Sequence, residues 1–598
     1  MSACLWVVPA VASPQHAPSK TSIDVSPAAA CIIPAEGSAV PEPEDLRSVN
    51  GILKVDLTFQ SSLDQRGQVR YCYVFQNHVV APNLRLHPGD LLILNLKNEA
   101  TARPETPGKS IPHSMSHPAP VSNPATPCYG GPMTPNTTNL HFHGLAIPPV
   151  CHQDEVVRTR IGPSDAPFEY RFQIPADTPP GLYWYHPHMH GFSRLQVLGG
   201  ASGALIVEGV EHEAPLVAGL PERVLIVRDQ DLVNPDAEPV KTDSMPPPIA
   251  LRDAEGDILN TGTGTGKPAK DLSINFVPVP FPLYQPAVLK MKPTAKEFWR
   301  LLNASAITYL DLQVLTDGKP QLLGVVALDG VPIHDAGIQP HDVVWRSHLA
   351  VPPAGRVEFI VKGPAVGTRQ SLVTRSVDTG PAGENDPTRP LATIFATTDA
   401  PETHSRLPLL PGPTSTPENS APLVASLGPS ISAPSVGGKN PHWVGNFPAV
   451  HQRELYFFEE PEDPANPNSP TKFYITVEGQ EPKQFDMNDP APNIVVQQGD
   501  VEEWTIENRT RELHAFHIHQ IHFQLLEWNG VPLEEPFLRD TINVPYWDGQ
   551  SAQYPSVKLK MDFRDPRIVG TFVYHCHLLE HEDGGMMGIV RVDQPPKR

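Results

Sequence analysis

Four short segments concentrate histidines at spacings suited to holding metal ions. They are Asn139-Leu-His-Phe-His-Gly-Leu145, Trp184-Tyr-His-Pro-His-Met-His-Gly191, Leu513-His-Ala-Phe-His-Ile-His-Gln520 and His575-Cys-His-Leu-Leu-Glu-His-Glu-Asp-Gly-Gly-Met586. On a β-strand, His-X-His puts both imidazoles on one face about 7 Å apart, so neighbouring strands can converge on one cluster. Neutral imidazole serves copper, zinc and iron alike, and a single pair leaves the metal open. The fourth segment narrows the choice. Cys576, His581 and Met586, with His514 as the obvious further donor, make two His, one Cys and a weak axial Met. That set is the blue-copper electron-transfer constellation. His575 and His577 flank Cys576, giving an electron on the sulfur a short covalent path to whatever those rings bind.

Repeated strands must position these segments. Leu86-His-Pro-Gly-Asp-Leu-Leu-Ile-Leu-Asn-Leu-Lys-Asn98 and Val496-Gln-Gln-Gly-Asp-Val-Glu-Glu-Trp-Thr-Ile-Glu-Asn508 share a Gly-Asp opening and a closing Asn nine residues after the Gly. Met291-Lys-Pro-Thr-Ala-Lys-Glu-Phe-Trp-Arg-Leu-Leu-Asn303 repeats the spacing with Thr294 in the glycine position. Alternation of period two bounded by turn residues predicts half-buried strands. A second repeat aligns Gly181-Leu-Tyr-Trp-Tyr-His-Pro-His188 with Gly570-Thr-Phe-Val-Tyr-His-Cys-His577 without a gap. Three such units predict an all-β chain of three β-sandwich domains, over 47–210, 220–400 and 443–598. Residues 1–46 read as a disordered tail or remnant signal region, and the Pro/Ser-rich stretch 401–442 as a linker.

The alignment exposes two differences between the outer units. Pro187 stands where the third unit has Cys576, and Thr138 where it has His514. The two units thus share paired histidines but not the sulfur site, and the middle unit has no His-X-His at the matching places. That is the pattern of a cluster shared between the first and third units. The first unit also carries thirty-four extra residues before its histidine motif, an inserted loop over about 101–135. Loops of that length are usually functional or disordered, which leaves a site entrance and a featureless excursion equally open.

Composition fits this organisation. The 598 residues include 72 Pro and 42 Gly, and so much proline argues against long helices. The formal net charge of −21 disfavours nucleic acid or an anionic membrane as a partner, and no apolar run approaches the ~20 residues of a membrane helix.

With all four histidine segments present in order, the chain resembles the three-domain multicopper oxidases of the laccase type over residues 47–598. The resemblance implies three cupredoxin Greek-key sandwiches and four copper ions. By motif position, type 1 copper falls to His514, Cys576, His581 and Met586, and type 2 to His141 and His517. The type 3 pair falls to His143, His186, His188, His519, His575 and His577. The activity implied is one-electron oxidation of a small reducing substrate coupled to four-electron reduction of O2 to water. Phenols or aromatic amines are the first expectation for that substrate and Cu(I), Fe(II) or Mn(II) the alternative; only ten methionines occur, without a Met-rich segment. A copper-free structural relative is a third reading, which the intact ligand set opposes. Glu582, directly after His581, takes the place of an acidic proton donor in bacterial members. Asp154 resembles a second such acid, though neighbouring Glu155 leaves that choice open. His190, His522, His113, His117 and His152 lie off the matched positions.

Setting aside Cys576, the remaining cysteines are Cys4, Cys31, Cys72, Cys128 and Cys151. Cys128 and Cys151 bracket the first histidine motif, as a disulfide tethering the insertion or as two buried thiols. A disulfide and copper oxidase chemistry both suit a periplasmic or secreted location, although the first residues lack the Lys or Arg of a secretory signal.

Overall fold

The three repeated segments form the strands Leu91–Asn98, Lys296–Asn303 and Val501–Asn508 in a computed structural model of the chain. It describes residues 31, 33–64, 66–101, 127–239, 252, 257–333, 343–403, 405–410, 443–445, 447–466, 469–489, 491–533 and 535–596. The outer two strands alternate buried and half-buried side chains, whereas Lys296–Asn303 is buried on both faces because its sheet is covered on both sides. The turn before each strand shows why glycine opens two of them. Gly89 and Gly499 have φ of 91° and 108°, and Thr294 holds the same left-handed region at 57°.

The closing asparagines, all fully buried, do one job three times. Asn98 donates to the Asn136 and Ile161 carbonyls, Asn303 to those of Thr308 and Val351, and Asn508 to those of Glu512 and Val544. Each side-chain oxygen accepts from the backbone N–H two residues on. A buried backbone group left unpaired would be costly, so one side chain closes the account of a whole loop.

These strands build three two-sheet sandwiches of the cupredoxin kind. In the first, a sheet carrying Ile52–Leu63 and Leu91–Asn98 packs on one ordered Asp45–Arg47, Asn83–Leu86, Gly203–Val207, Gly181–His186 and His141–His143. In the third, the equivalent sheet runs Ile494–Gln497, Met587–Asp593, Gly570–Cys576, His514–Ile518 and Thr541–Val544. Both sheets pair their first matched strands in parallel and the histidine strands antiparallel, so the sequence repeat is also a repeat of topology. The middle sandwich packs a nine-stranded sheet on a six-stranded one. Each sandwich has its own apolar core between its sheets. The largest is the third, where Trp504, Phe516, Phe563 and Tyr574 surround Cys576 and Met586.

Two expectations are corrected at the edges. The tail expected over 1–46 is packed at Cys31 and from residue 33 onward, and residues 1–30 and 32 lie outside the described residues. A Cys31–Cys72 disulfide, a Val40 N–H to Val288 carbonyl bond, a Glu42–Arg223 ion pair and the strand Asp45–Arg47 tie this segment to the first two sandwiches. Its Ala/Pro/Ser content gives it little to bury beyond Val40, which joins the middle core, and these bonds supply what composition could not reveal. The linker expected over 401–442 begins later, because Ser405–Arg406 pairs with Pro221–Glu222 at the edge of the middle sheet. Residues 411–442 and most of the insertion, 102–126, lie outside the described residues. Its base is tethered by the Cys128–Cys151 disulfide, the first of the two alternatives for those cysteines.

Candidate metal centre

Strand register brings the histidine segments together where the first and third sandwiches meet. His141 pairs opposite His186 within the first sheet, and His517 opposite His575 within the third. Across the contact, the rings of His143 and His517 stack at 3.9 Å and those of His141 and His519 at 3.8 Å. All eight rings of this group are buried. Two triads emerge, each drawing rings from both sandwiches. His143, His186 and His577 have ring centroids 5.2–5.7 Å apart, and His188, His519 and His575 lie 4.9–5.4 Å apart. His141 and His517, at 6.0 Å, complete the group.

The nitrogens facing inward fit metal ions. His141 Nε2, His143 Nδ1, His186 Nε2, His517 Nε2, His519 Nδ1 and both nitrogens of His577 are buried without a hydrogen-bond partner. So many unpaired donors in one place would be expensive in a protein with nothing to bind. Several opposite nitrogens are oriented by the surrounding protein, as metal-bound imidazoles require. His141 Nδ1 lies 3.0 Å from both Asp154 oxygens, His517 Nδ1 donates to the Asp540 carbonyl at 2.8 Å, and His143 Nε2 donates to Asp540 Oδ1 at 3.1 Å.

A second group lies one residue away along the chain. Cys576 Sγ is 3.5 Å from His514 Nδ1 and 3.7 Å from His581 Nδ1, and the two nitrogens are 3.1 Å apart. Met586 is fully buried beside them; its N–H donates to the His581 carbonyl and its carbonyl accepts from Cys576 N–H. These bonds close the segment 576–586 into a loop around the sulfur. Two nitrogens and a thiol converging at these distances match a copper site and leave little room for a larger, oxygen-ligated ion.

Burial pushes the Cys576 thiol up to about 12, and it holds His581 and His575 down at about 3. The ligands on the imidazole side are therefore already neutral at ordinary pH, while the thiol must give up its proton. Copper uptake at this group should release one proton, and its apparent affinity should rise about tenfold per pH unit between pH 5 and 8. Chelator competition followed by the copper–thiolate absorbance measures this. A flat dependence, or one of two protons or more, would contradict it.

The two acids differ in station. Asp154 accepts from Phe142 N–H and Gln520 Nε2 as well as holding His141, whereas Glu155 turns away to bond Arg158 N–H and Thr159. Glu582 is buried with Oε2 3.2 Å from His575 Nδ1 and Oε1 3.7 Å from His188 Nε2, and burial together with Asp583 pushes its carboxyl well above the usual range. Of the histidines off the matched positions, His152 stacks on Phe168, His190 packs on Phe485 and His522 donates to the Asp329 carbonyl. His113 and His117 lie outside the described residues.

Sequence reasoning missed Asp540, Gln520 and Glu512. Asp540 follows His517 by twenty-three residues and has no counterpart in the first unit to mark it. Glu512 Oε1 lies 3.2 Å from His581 Nε2, and only its position just ahead of His514 hinted at this.

Family models described as multicopper oxidase match residues 133–212 and 464–596, the two stretches that hold all four histidine segments. The multicopper oxidase mco of Staphylococcus aureus is 33% identical over 122 residues, 20% of this chain and 24% of that protein, so the match spans about a quarter of the relative's length. The multicopper oxidase LPR1 homolog 1 of Oryza sativa subsp. japonica is 23% identical over 75% of this chain and 74% of its own. The solved structure of a Campylobacter jejuni multicopper oxidase, described as a metallo-oxidase, shares the fold with a TM-score of 0.58 and 22% identity, covering 94% of this chain and 96% of that one.

Proposed function

The chain belongs to the multicopper oxidases, copper-dependent oxidoreductases that take O2 as acceptor, and we propose on that premise that it passes single electrons from a small reducing substrate to O2 and yields water. One observation carries the reading. The thiol group and the eight-histidine group are joined by the tripeptide His575-Cys576-His577, with Cys576 facing His514 and His581 and its two neighbours facing the cluster.

We assign His514, Cys576, His581 and Met586 to type 1 copper, His141 and His517 to type 2, and His143, His186, His188, His519, His575 and His577 to the type 3 pair. Bound copper would supply one-electron exchange at the thiolate site and multi-electron reduction of O2 among the imidazoles. The chain's own residues orient and protonate. Asp154 fixes the tautomer of His141, Asp540 those of His143 and His517, and Glu582 keeps a proton within reach of the His188–His575 side. We take 47–210, 220–400 and 443–598 as the three domains. Two disulfides favour an oxidising compartment, periplasmic or secreted. Among the described residues no helix is long and apolar enough to cross a membrane.

For the reducing substrate, the surroundings of His581 favour a metal cation over a phenol. Glu512 Oε1 stands 3.2 Å from His581 Nε2, the ring nitrogen on the far side from Cys576, and burial together with Glu459 and Glu384 pushes its carboxyl well above the usual range. These carboxyl groups offer oxygen ligands to a hard cation such as Fe(II) or Mn(II), which would displace the proton that burial favours on Glu512. A phenol hydroxyl would meet Glu512 in front of the ring nitrogen. The laccase-like alternative requires the substrate to displace Glu512. Glu512→Gln should lower kcat/KM for Fe(II) or Mn(II) about tenfold or more and leave a methoxyphenol within a factor of two. Equal losses for both donors, or turnover of the phenol alone, would return the reading to phenols and aromatic amines.

A further inference from the structure

The middle sandwich carries no histidine of the cluster, yet its side chains reach the residues that orient the cluster, Arg356 foremost. Arg356 opens the strand Arg356–Lys362 and is buried completely. Its Nη1 donates to Asp540 Oδ1 at 2.7 Å and its Nη2 to Asp540 Oδ2 at 2.6 Å, a two-pronged grip on the third sandwich. Its Nε donates to the Leu182 carbonyl at 3.2 Å, four residues before His186 on the same strand of the first sandwich. The remaining donors bond the Ala354 and Asp329 carbonyls. One guanidinium thus engages all three sandwiches.

Asp540 passes this grip to two rings. Its Oδ1 accepts from His143 Nε2, and its backbone carbonyl accepts from His517 Nδ1, leaving His143 Nδ1 and His517 Nε2 as the unpaired inward nitrogens. Asp329 of the middle sandwich takes up the other side: its Oδ2 accepts from the N–H groups of Asp540 and Thr541, and its Oδ1 from Arg356 N–H. Two residues along, Glu358 accepts from Leu182 N–H at 2.8 Å, so both backbone groups of Leu182 are held by the same middle strand.

The first histidine motif is built around this pair. Gly144, directly after His143, has φ of 90°, and a Cβ there would sit 2.6 Å from Arg356 Nη2 and 2.8 Å from Asp540 Oδ2. Only glycine lets the backbone approach the ion pair so closely. A planar guanidinium gripping a carboxylate at two points fixes its orientation in a way a lysine ammonium cannot.

We infer that Arg356 is a positioning residue of the trinuclear site, through which the copper-free middle sandwich sets the ring nitrogens that His143 and His517 present to metal. The inference rests on the copper reading proposed above. Its test compares Arg356→Lys with the full-length wild type, using copper per chain, chelator resistance of the non-blue coppers and the type 2 electron paramagnetic resonance signal. Arg356→Lys should keep the blue absorbance of type 1 copper and hold the cluster coppers about 10–100-fold more weakly, with a shifted type 2 signal. Arg85→Lys is the control for general loosening: Arg85 is equally buried and bonds Asp45, Glu208 and Glu222, away from the histidines. It should lower thermal stability and leave cluster copper unchanged. Should Arg356→Lys fail to fold, the paired change Arg356→Gln with Asp540→Asn removes both charges together and should show the same selective loss.

Wild-type chelator resistance and an unchanged type 2 signal in the folded Arg356 variant would overturn the inference. An equal loss of cluster copper in Arg85→Lys would overturn it too. A wild type that binds type 1 copper alone would instead refute the copper assignment on which the inference stands.

Discussion

Replacing Cys576 with serine should abolish the copper–thiolate absorption and stop oxidation of every reducing substrate, a loss beyond the ~10–100-fold that removal of an outer partner costs. The reason is the position of Cys576 in both groups at once. Its sulfur faces His514 and His581, and its backbone neighbours are the ring-bearing residues of the two triads. Serine preserves shape and packing in the third core, where Cys576 is fully buried, so the fold and the eight-histidine cluster should survive. Copper analysis should accordingly show the loss of the type 1 ion alone, with the cluster coppers retained. Retention of substrate turnover near the wild-type rate in Cys576→Ser would mean that electrons enter elsewhere.

Glu582→Gln is the second large effect expected, and it should act on O2 reduction rather than substrate oxidation. Glu582 lies 3.2 Å from His575 Nδ1 and 3.7 Å from His188 Nε2, and burial together with Asp583 raises its proton affinity well above the usual range. The glutamine keeps the volume and has no acidic proton to give. Reoxidation of the reduced enzyme by O2 should slow by about 10² or more, while the blue absorbance and its bleaching by substrate stay unchanged. Stopped-flow mixing of reduced enzyme with O2 separates the two half-reactions. Equal reoxidation rates for variant and wild type across pH would remove Glu582 from the mechanism.

Much of this centre was legible in the sequence because local spacing and tertiary placement coincide there. His-X-His on a strand fixes which face both rings share, and a repeat without gaps places Pro187 and Cys576 at matching points of two like sheets. The closing asparagines were equally legible, since Asn98, Asn303 and Asn508 each bond the same kind of carbonyl pair. The substituents that orient the rings were not. Arg356 meets Asp540 across 184 residues and Glu512 meets His581 across the mouth of a loop, contacts that follow from how sandwiches dock and not from any period along the chain. The segment from Cys31 to Arg47 was hidden for a related reason. It has no alternation to betray it and is held by a disulfide, an ion pair and a few backbone bonds to strands far along the chain.

Histidine-rich composition itself is explained by this division of labour. Ten of the 25 histidines sit in the two groups, and nine of those ten are held below their ordinary proton affinity, mainly by burial. A cluster of neutral imidazoles is a poor proton store and a good ligand set, which leaves proton delivery to carboxyl groups such as Glu582.

Copper content measured together with visible absorbance on the purified, copper-loaded chain tests the central claim most directly. The expected result is four coppers per chain and an absorption near ~600 nm that bleaches with a reducing substrate and returns with O2. A protein that stays colourless after loading, or binds no copper beyond adventitious amounts, would contradict it.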